Sequence, residues 1–355
     1  HAMVAAYLST LYFAAPAHVN EVGFQGLSDA PVGTGPFIAE RWGPDKVTLR
    51  ANRDSWIAPK VDGLEAIFVP DASARLNALE TDQIDIATVI STDQIGLLER
   101  SGHRVEMRNP TRVLVMALQT QEPDQPLADV RVRQALNHAV NRELITEVLL
   151  AGLVKPSSQP ATKMALGFDP TLKPYTYDPD KARQLLAVAG YPDGFAFSVE
   201  TVAGFLPNDT TILQQIASDL SRVGVTMDVS LITYPQLVRA TLRGELSGEA
   251  LMADFFNNTG DALRPLTRTV NHACAGFKPW YCDQDIQAVI HEAEVALDLD
   301  KRRALTQRVI RHYRDQATSL ILFPVVGLDG IHRRVTHWEP WNDILNFHLV
   351  EIDTN

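Results

Sequence analysis

The stretch Leu64–Ile90, LEAIFVPDASARLNALETDQIDIATVI, contains the pattern that decides the fold class. Leu64–Val69 is a strand-length segment that is apolar except for Glu65. Pro70 and Asp71 follow as a helix start, because an aspartate in this position caps free backbone N–H groups. Asp85–Ile90 predicts a second, short and buried strand. A strand, a helix and a strand in this order predict an α/β architecture.

The same alternation of strands and helices continues along the chain. Val113–Leu118 predicts a buried strand, and Asp129 begins an apolar pattern of helical period that continues to Leu149. Ser319–Val326 returns as a late buried strand. These segments predict that a long middle block is framed by two strands.

At 355 residues the chain is too long for one ordinary hydrophobic core. The boundaries of the middle block fall at strands near Leu114 and Val325. This arrangement predicts a two-lobed hinge protein. Residues 31–114 and 326–355 would form the first lobe, and residues 115–325 the second.

The composition excludes two classes of protein. Acidic residues outnumber basic residues by 43 to 32, which gives a net charge of −11. A nucleic-acid partner would need clustered lysines and arginines to neutralise its phosphates, so none is expected. No stretch approaches the roughly 18 apolar residues of a membrane-spanning helix.

Motifs of enzymes and metal sites are missing from the sequence. The Gly-Thr-Gly within Val32–Phe37 has neither P-loop nor dinucleotide-binding spacing, and Pro36 and a strand follow it. The chain has no GxSxG or HExxH pattern, and His272 is a lone loop histidine. We therefore expect no catalytic residue, no metal site and no cofactor.

Cys274 and Cys282 are the two cysteines of the chain, eight positions apart. This spacing fits neither a zinc site nor a CxxC redox pair. One interpretation is a disulfide that closes a short loop, which implies an oxidising compartment. The other is a pair of free thiols.

Five strings together carry a family resemblance. In chain order they are PVGTGPF (31–37), ANRDSW (51–56), IFVPDASARLNALETDQIDIA (67–87), VRVRQALNHAVNRELI (130–145) and YDPDKARQLLAVAGYPDGF (177–195). Their order and spacing resemble the extracellular solute-binding proteins of family 5, which are receptors for oligopeptides, dipeptides, nickel complexes and related solutes. The resemblance extends from Pro31 to about Glu351.

The resemblance implies a two-lobed periplasmic-binding-protein fold of type II, cluster C, incomplete at its N-terminus. Residues 1–30 then consist of a tag remnant, His1–Met3, and the tail of a missing N-terminal region. The implied function is capture of a solute between the lobes and its delivery to an ABC permease, in the periplasm and without catalysis. It also favours the disulfide, because dipeptide-binding members have a cystine where Cys274 and Cys282 stand.

A short peptide is the favoured ligand, ahead of an opine-like or sugar-derived solute and of a nickel complex. A hydrolase that uses Asp and His from the second lobe is the alternative from another class. In dipeptide-binding members, an aspartate of a turn near Ala253–Pro265 receives the α-ammonium group of the peptide. This sequence keeps Asp261 but departs from the rest of that turn.

The resemblance implies a ligand site formed by Phe255, Phe256, Asn257, Asn258, Asp261 and Arg264. A phenylalanine would stack on the ligand, Asp261 would hold a cation and Arg264 would bind an acid. The competing interpretation is structural. In it the two phenylalanines are core residues on either side of a strand, and Asp261 and Arg264 are turn residues.

Overall fold

The computed structural model describes residues 14–202, 208–257, 259–268, 274, 279–340 and 345–353. Most of the described chain divides into two compact units. We call Pro110–Val326 the central unit, and residues 14–109 with 327–353 the flanking unit. Asn258 and residues 1–13 of the predicted tail lie outside the described residues.

The strands are β1 Phe37–Trp42, β2 Lys46–Ala51, β3 Gly63–Ile67, β4 Ile86–Thr88, β5 Arg104–Met107, β6 Arg112–Leu118, β7 Phe195–Val202, β8 Val225–Ile232, β9 Ala250–Phe256, β10 Ser319–Val325, β11 Leu328–Ile331, β12 Val335–His337 and β13 Glu351–Ile352. The α-helices are α1 Pro16–Asp29, α2 Ala72–Glu80, α3 Ile95–Arg100, α4 Val130–Ala139, α5 Arg142–Leu144, α6 Pro179–Val188, α7 Asp209–Ser221, α8 Tyr234–Arg243, α9 Leu263–Arg268, α10 Gln284–Val295 and α11 Leu299–Asp315. Short 3-10 helices cover Thr92–Gln94, Pro126–Ala128 and Phe347–Leu349, and Ile145–Leu149 is a π-helix.

The central unit is built on a mixed sheet with strand order β10-β6-β9-β7-β8. β6 is antiparallel to both of its neighbours, β10 and β9. β7 is parallel to both β9 and β8. The helix α7 connects the parallel pair β7 and β8, as a parallel connection requires.

Both faces of this sheet are covered by helices. Along β6 successive side chains alternate between the faces, as strand geometry requires. Leu114, Met116 and Leu118 pack in one core with α4, α6 and α7. Val113 and Val115 pack in a second core with α9, α10 and α11. The sheet is therefore the middle layer of an α/β unit.

In the flanking unit, β1-β2-β3 and β4-β11-β5 are antiparallel sheets, and β12 pairs with β13. Asp71 accepts a hydrogen bond from the backbone N–H of Ala74 at 2.7 Å, so the predicted cap of α2 is confirmed. α2 and α3 pack on β11 at Gly330. A Cβ there would lie 2.9 Å from Leu98 Cδ1 and 3.0 Å from Leu79 Cδ2. The close approach of the helices therefore requires glycine.

The helix predicted from Asp129 to Leu149 is interrupted. α4 ends at Ala139, and Val140 is extended, with φ −91° and ψ 125°. The Asn141 side chain accepts from the backbone N–H of Leu144 at 3.0 Å and caps a second helical segment. The apolar period is the same on both sides of the break, so periodicity alone did not show where the first helix ends.

Cys274 and Cys282 form a disulfide. The predicted disulfide is confirmed, and the alternative of two free thiols is wrong. No helix in the described ranges combines the length and the apolar character needed to cross a bilayer.

Replacing Gly194 by alanine is expected to lower the free energy of unfolding by about 2 kcal/mol or more. Gly194 has φ +82°, and a Cβ there would lie 1.8 Å from the carbonyl oxygen of Gly224. Gly190 is the matched control, because its φ is +96° but nothing lies within 4 Å of the added Cβ. Urea denaturation of both variants would separate backbone strain from steric overlap. Equal losses in the two variants would contradict the overlap.

Candidate functional site

Three parallel strands of the central unit end at one edge of its sheet, which we call the carboxyl edge. β7, β8 and β9 end there at Val202, Ile232 and Phe256. Arg112, the first residue of β6, pairs with Phe256 and with Val325, the last residue of β10. Ligands of open α/β sheets bind outside the carboxyl ends of the strands. The geometry of the sheet therefore places the candidate site at this edge.

The two phenylalanines that end β9 differ in exposure. Phe255 is 1% exposed and lies in the core that contains Val113 and Val115. Phe256 is 38% exposed. Side chains alternate along a strand, so the two rings lie on opposite faces of the sheet. Phe256 offers an aromatic surface at the carboxyl edge, whereas Phe255 holds the core position of the structural interpretation. Ligand contact by either ring remains a prediction.

The turn after β9 contains two buried polar side chains with unused hydrogen-bonding atoms. Asn257 is 3% exposed and Thr259 is 6% exposed. The backbone N–H of Asn257 donates to Thr111 O at 2.7 Å, and its Nδ2 donates to Phe255 O at 2.9 Å. Within the described part of the chain, Asn257 Oδ1 and Thr259 Oγ1 have no partner. An unsatisfied buried polar group costs about 1–3 kcal/mol, so each atom favours binding of a partner.

Asp261 is fully buried and paired with an arginine of this chain. Its Oδ2 accepts from Arg302 Nη2 at 2.7 Å, and both side chains are 0% exposed. Its Oδ1 accepts from the backbone N–H of Leu263 at 3.1 Å. Arg264 is partly buried in the first turn of α9. Asp261 and Arg264 thus both follow β9 and lie beside the carboxyl edge. Their roles in binding remain predictions.

Sequence reasoning did not identify Thr259, Arg302 or the ion pair between Arg112 and Asp254. The Nη1 of Arg112 lies 3.0 Å from Asp254 Oδ2, with side-chain exposures of 25% and 19%. The two residues are 142 positions apart, and the register between β6 and β9 brings them together. Thr259 could have been found from the sequence, because it lies between the singled-out residues Asn257 and Asp261.

A second polar group lies away from the carboxyl edge. Tyr281 Oη is 2.9 Å from His312 Nε2 and 3.2 Å from Asp283 Oδ2. Burial, followed by the charge of Asp283, raises the pKa of the Tyr281 hydroxyl. The same atom, His312 Nε2, also faces Asp283 Oδ2 at 2.9 Å. In a catalytic triad, one histidine ring nitrogen contacts the nucleophile and the other contacts the carboxylate. Here His312 Nε2 faces both Tyr281 and Asp283, so this group does not have the geometry of a triad.

A cavity of about 390 Å³ adjoins this group. Thr120 lines it and follows the end of β6 at Leu118, so the cavity lies towards the edge opposite the carboxyl edge. Its other lining residues are Gln121, Ala128, Arg133, Tyr281, Cys282, Asp283, Gln284, Asp285 and Gln316. In the described ranges, no group of three or more His, Cys, Asp or Glu residues could hold a metal ion.

Comparison with known proteins identifies the family. The sequence model of bacterial extracellular solute-binding proteins, family 5 Middle, matches residues 2–271. Di/tripeptide-binding protein 2 of Pseudomonas aeruginosa is 25% identical over 320 residues, which cover 87% of this chain and 59% of that protein. The glutathione-binding protein GsiB of Escherichia coli O157:H7 is 30% identical over 265 residues, which cover 71% of this chain and 49% of that protein. The chain thus spans about half to three-fifths of the length of these relatives.

The fold has a close counterpart among solved structures. The periplasmic binding protein DppA from Helicobacter pylori, in complex with the peptide STSA, superposes with a TM-score of 0.86 at 22% identity. The alignment covers 96% of this chain and 68% of that one. The likeness shows the fold alone.

These findings confirm the predicted α/β periplasmic-binding-protein fold of type II and the predicted periplasmic location. The family match covers well over half of the 355 residues. The chain therefore belongs to the bacterial extracellular solute-binding proteins of family 5.

Proposed function

We propose that the protein captures a short peptide or peptide-like solute in the periplasm and delivers it to the permease of an ABC importer, without changing the solute chemically. Family membership supports the solute-binding role. The names of the two relatives, which bind di- and tripeptides and glutathione, favour a peptide ligand. We further propose that the central unit supplies the solute-contacting turn.

The observation that carries the proposal is the pair of unused polar atoms in the turn that follows the exposed ring at the carboxyl edge. A peptide backbone supplies N–H donors and C=O acceptors in fixed alternation. Asn257 Oδ1 is an acceptor that lacks a donor, and Thr259 Oγ1 can both donate and accept. Phe256, the last residue of β9, offers an exposed apolar surface for a solute side chain. Binding sites of this type combine an apolar wall with a few placed polar groups.

Replacing Asn257 by leucine is expected to weaken the binding of trialanine by about tenfold, because one hydrogen bond to the solute is lost. Isothermal titration calorimetry measures the dissociation constant. Gln121→Leu is the matched control, since it removes an exposed amide beyond the end of β6. Unchanged affinity in the Asn257 variant would contradict a contact between the solute and this turn.

The same titration separates a receptor from a hydrolase. After saturation with trialanine, chromatography is expected to return the peptide intact, because the polar groups at the carboxyl edge bind but do not form a nucleophile–base pair. Appearance of alanine or dialanine would contradict the receptor assignment. Absence of saturable binding to di- and tripeptides would contradict the peptide ligand.

A further inference from the structure

A cavity of about 420 Å³ lies between α4, α6 and the end of α11 in the central unit. Two of its lining residues, Gln134 and His138, come from α4, and two others, Lys181 and Leu185, come from α6. Residues four positions apart share one face of a helix, so each pair faces the cavity together. The volume is within the range of small-molecule sites.

This cavity is separate from the carboxyl edge. Asp315 lines the cavity and ends α11, and β10 begins four residues later at Ser319. Ser319 pairs with Ala117 near the end of β6, whereas the carboxyl edge contains Arg112 at the start of β6. The cavity therefore lies towards the opposite edge of the sheet, away from the turn after β9.

One wall of the cavity is aromatic and apolar. The ring of Tyr175 meets the imidazole of His138 edge-on, with ring centroids 5.2 Å apart. The Tyr175 hydroxyl donates to Arg314 O at 2.7 Å, and the Arg314 guanidinium lies 4.8 Å from the centroid of the same ring. His138 Nδ1 donates to Thr176 O at 2.9 Å. Both rings are thus fixed in position, and with Leu185 they form a wall for a hydrocarbon or ring body.

The charges of the lining residues leave one cation uncompensated. Arg314 Nη1 lies 3.1 Å from Asp315 Oδ1, so these two charges offset each other. Lys181 is exposed, and among the described residues its ammonium group forms no ion pair. The neighbouring acid Asp178 uses its Oδ1 to accept from the backbone N–H of Lys181 at 2.9 Å. The lining therefore carries a net charge of about one positive unit.

Two buried arginines add to the positive potential behind the aromatic wall. Arg133 and Arg142 are 3% and 1% exposed, and they donate to carbonyl and amide oxygens and not to carboxylates. Burial lowers the pKa of His138, and the charges of Lys181 and Arg142 lower it further, against the opposing charge of Asp178. The cavity is thus locally positive in a chain whose net charge is −11.

We propose that this cavity binds a small organic acid, with the carboxylate at Lys181 and the apolar body against Tyr175 and Leu185. One uncompensated ammonium group matches one carboxylate, and their contact is a charge-assisted hydrogen bond. The apolar wall favours an acid with a ring or hydrocarbon body over a bare anion, because such a body removes apolar surface from water. This site is additional to the proposed solute site.

Calorimetry with phenylacetate tests the site, and it is independent of the proposed function because no peptide is added. Saturable binding with a dissociation constant of about 1 mM or below is expected. Phenylacetamide keeps the ring without the charge, and acetate keeps the charge without the ring. Each is expected to bind at least about tenfold more weakly. Absence of saturable phenylacetate binding up to about 10 mM, or equal binding of either analogue, would overturn the proposal.

Lys181→Gln locates the binding. The variant is expected to weaken phenylacetate binding by about tenfold and to leave the melting temperature unchanged, because the side chain is exposed. Arg183→Gln is the matched control. It removes one positive charge from the same helix, but Arg183 pairs with Asp180 and is not among the residues that line the cavity. Unchanged phenylacetate affinity in Lys181→Gln, or equal weakening in both variants, would overturn the proposal.

Discussion

Arg142→Ala is expected to lower the free energy of unfolding by about 4 kcal/mol or more, because several buried hydrogen bonds are lost together. Arg142 is 1% exposed. Its Nη1 donates to Asn137 O and its Nη2 to Asn137 Oδ1, both at 2.7 Å, and its Nε donates to Ile321 O. Asn137 in turn donates to Ser319 O at 3.1 Å. The network ties α4 and α5 to β10.

The Arg142 side chain donates its hydrogen bonds to carbonyl and amide oxygens and not to a carboxylate. Complete burial lowers the pKa of its guanidinium to about 10, so the group is still charged at neutral pH. Removal leaves the buried oxygens of Asn137 and Ile321 without this donor and opens a cavity.

Urea denaturation monitored by circular dichroism measures the loss in Arg142→Ala. Arg243→Ala is the control, because Arg243 is an exposed residue 3.9 Å from Glu245, and its loss is expected to cost less than about 0.5 kcal/mol. Arg142→Lys is expected to lower the free energy of unfolding almost as much as Arg142→Ala, because a lysine ammonium cannot reproduce the planar set of donors of the guanidinium. A loss below about 1 kcal/mol in Arg142→Ala would contradict the network's role.

Asp329→Asn is expected to destabilise the flanking unit by about 3–5 kcal/mol, because it removes the charge of a buried ion pair. Asp329 Oδ2 lies 3.3 Å from Arg108 Nε, with side-chain exposures of 0% and 8%. The indole N–H of Trp338 donates to the same oxygen at 3.3 Å. Asp329 sits in β11, between β4 and β5, so its carboxylate lies on the middle strand of the sheet.

Hydrogen exchange followed by mass spectrometry locates this effect. Peptides from β4, β5 and β11 are expected to lose protection in Asp329→Asn before those from the central unit. Asp45→Asn is the matched control, since Asp45 forms an exposed pair with Arg41 at 3.5 Å. Uniform loss of protection across both units would argue against a local role of the pair.

The family and the fold class could be predicted because their signals are local. The cap at Asp71 and the strings from Pro31 to Phe195 are contiguous in sequence. The break of the helix at Val140 was not predicted, because the apolar period passes through it unchanged. Asn141 was a recognisable N-cap residue within that pattern, because its side chain accepts a hydrogen bond from the backbone N–H of Leu144.

The candidate site could be predicted only in part, because its geometry depends on distant segments. Asn257, Asp261 and Arg264, which follow β9, were singled out from the sequence. The partner of Asp261 is 41 residues away on α11, and neither residue type nor spacing indicated it. The exposure of Phe256 and the burial of Phe255 follow from strand alternation, but which ring faces the core depends on the helices that cover each face.

The central claim is that this chain binds a peptide-sized solute reversibly and without chemistry. The most direct measurement is native mass spectrometry of the protein after purification from periplasm and incubation with a mixture of di- and tripeptides. A one-to-one complex that releases unmodified peptide when the protein is denatured is the expected result. A protein that retains no peptide from the mixture, or that returns cleaved products, would contradict it.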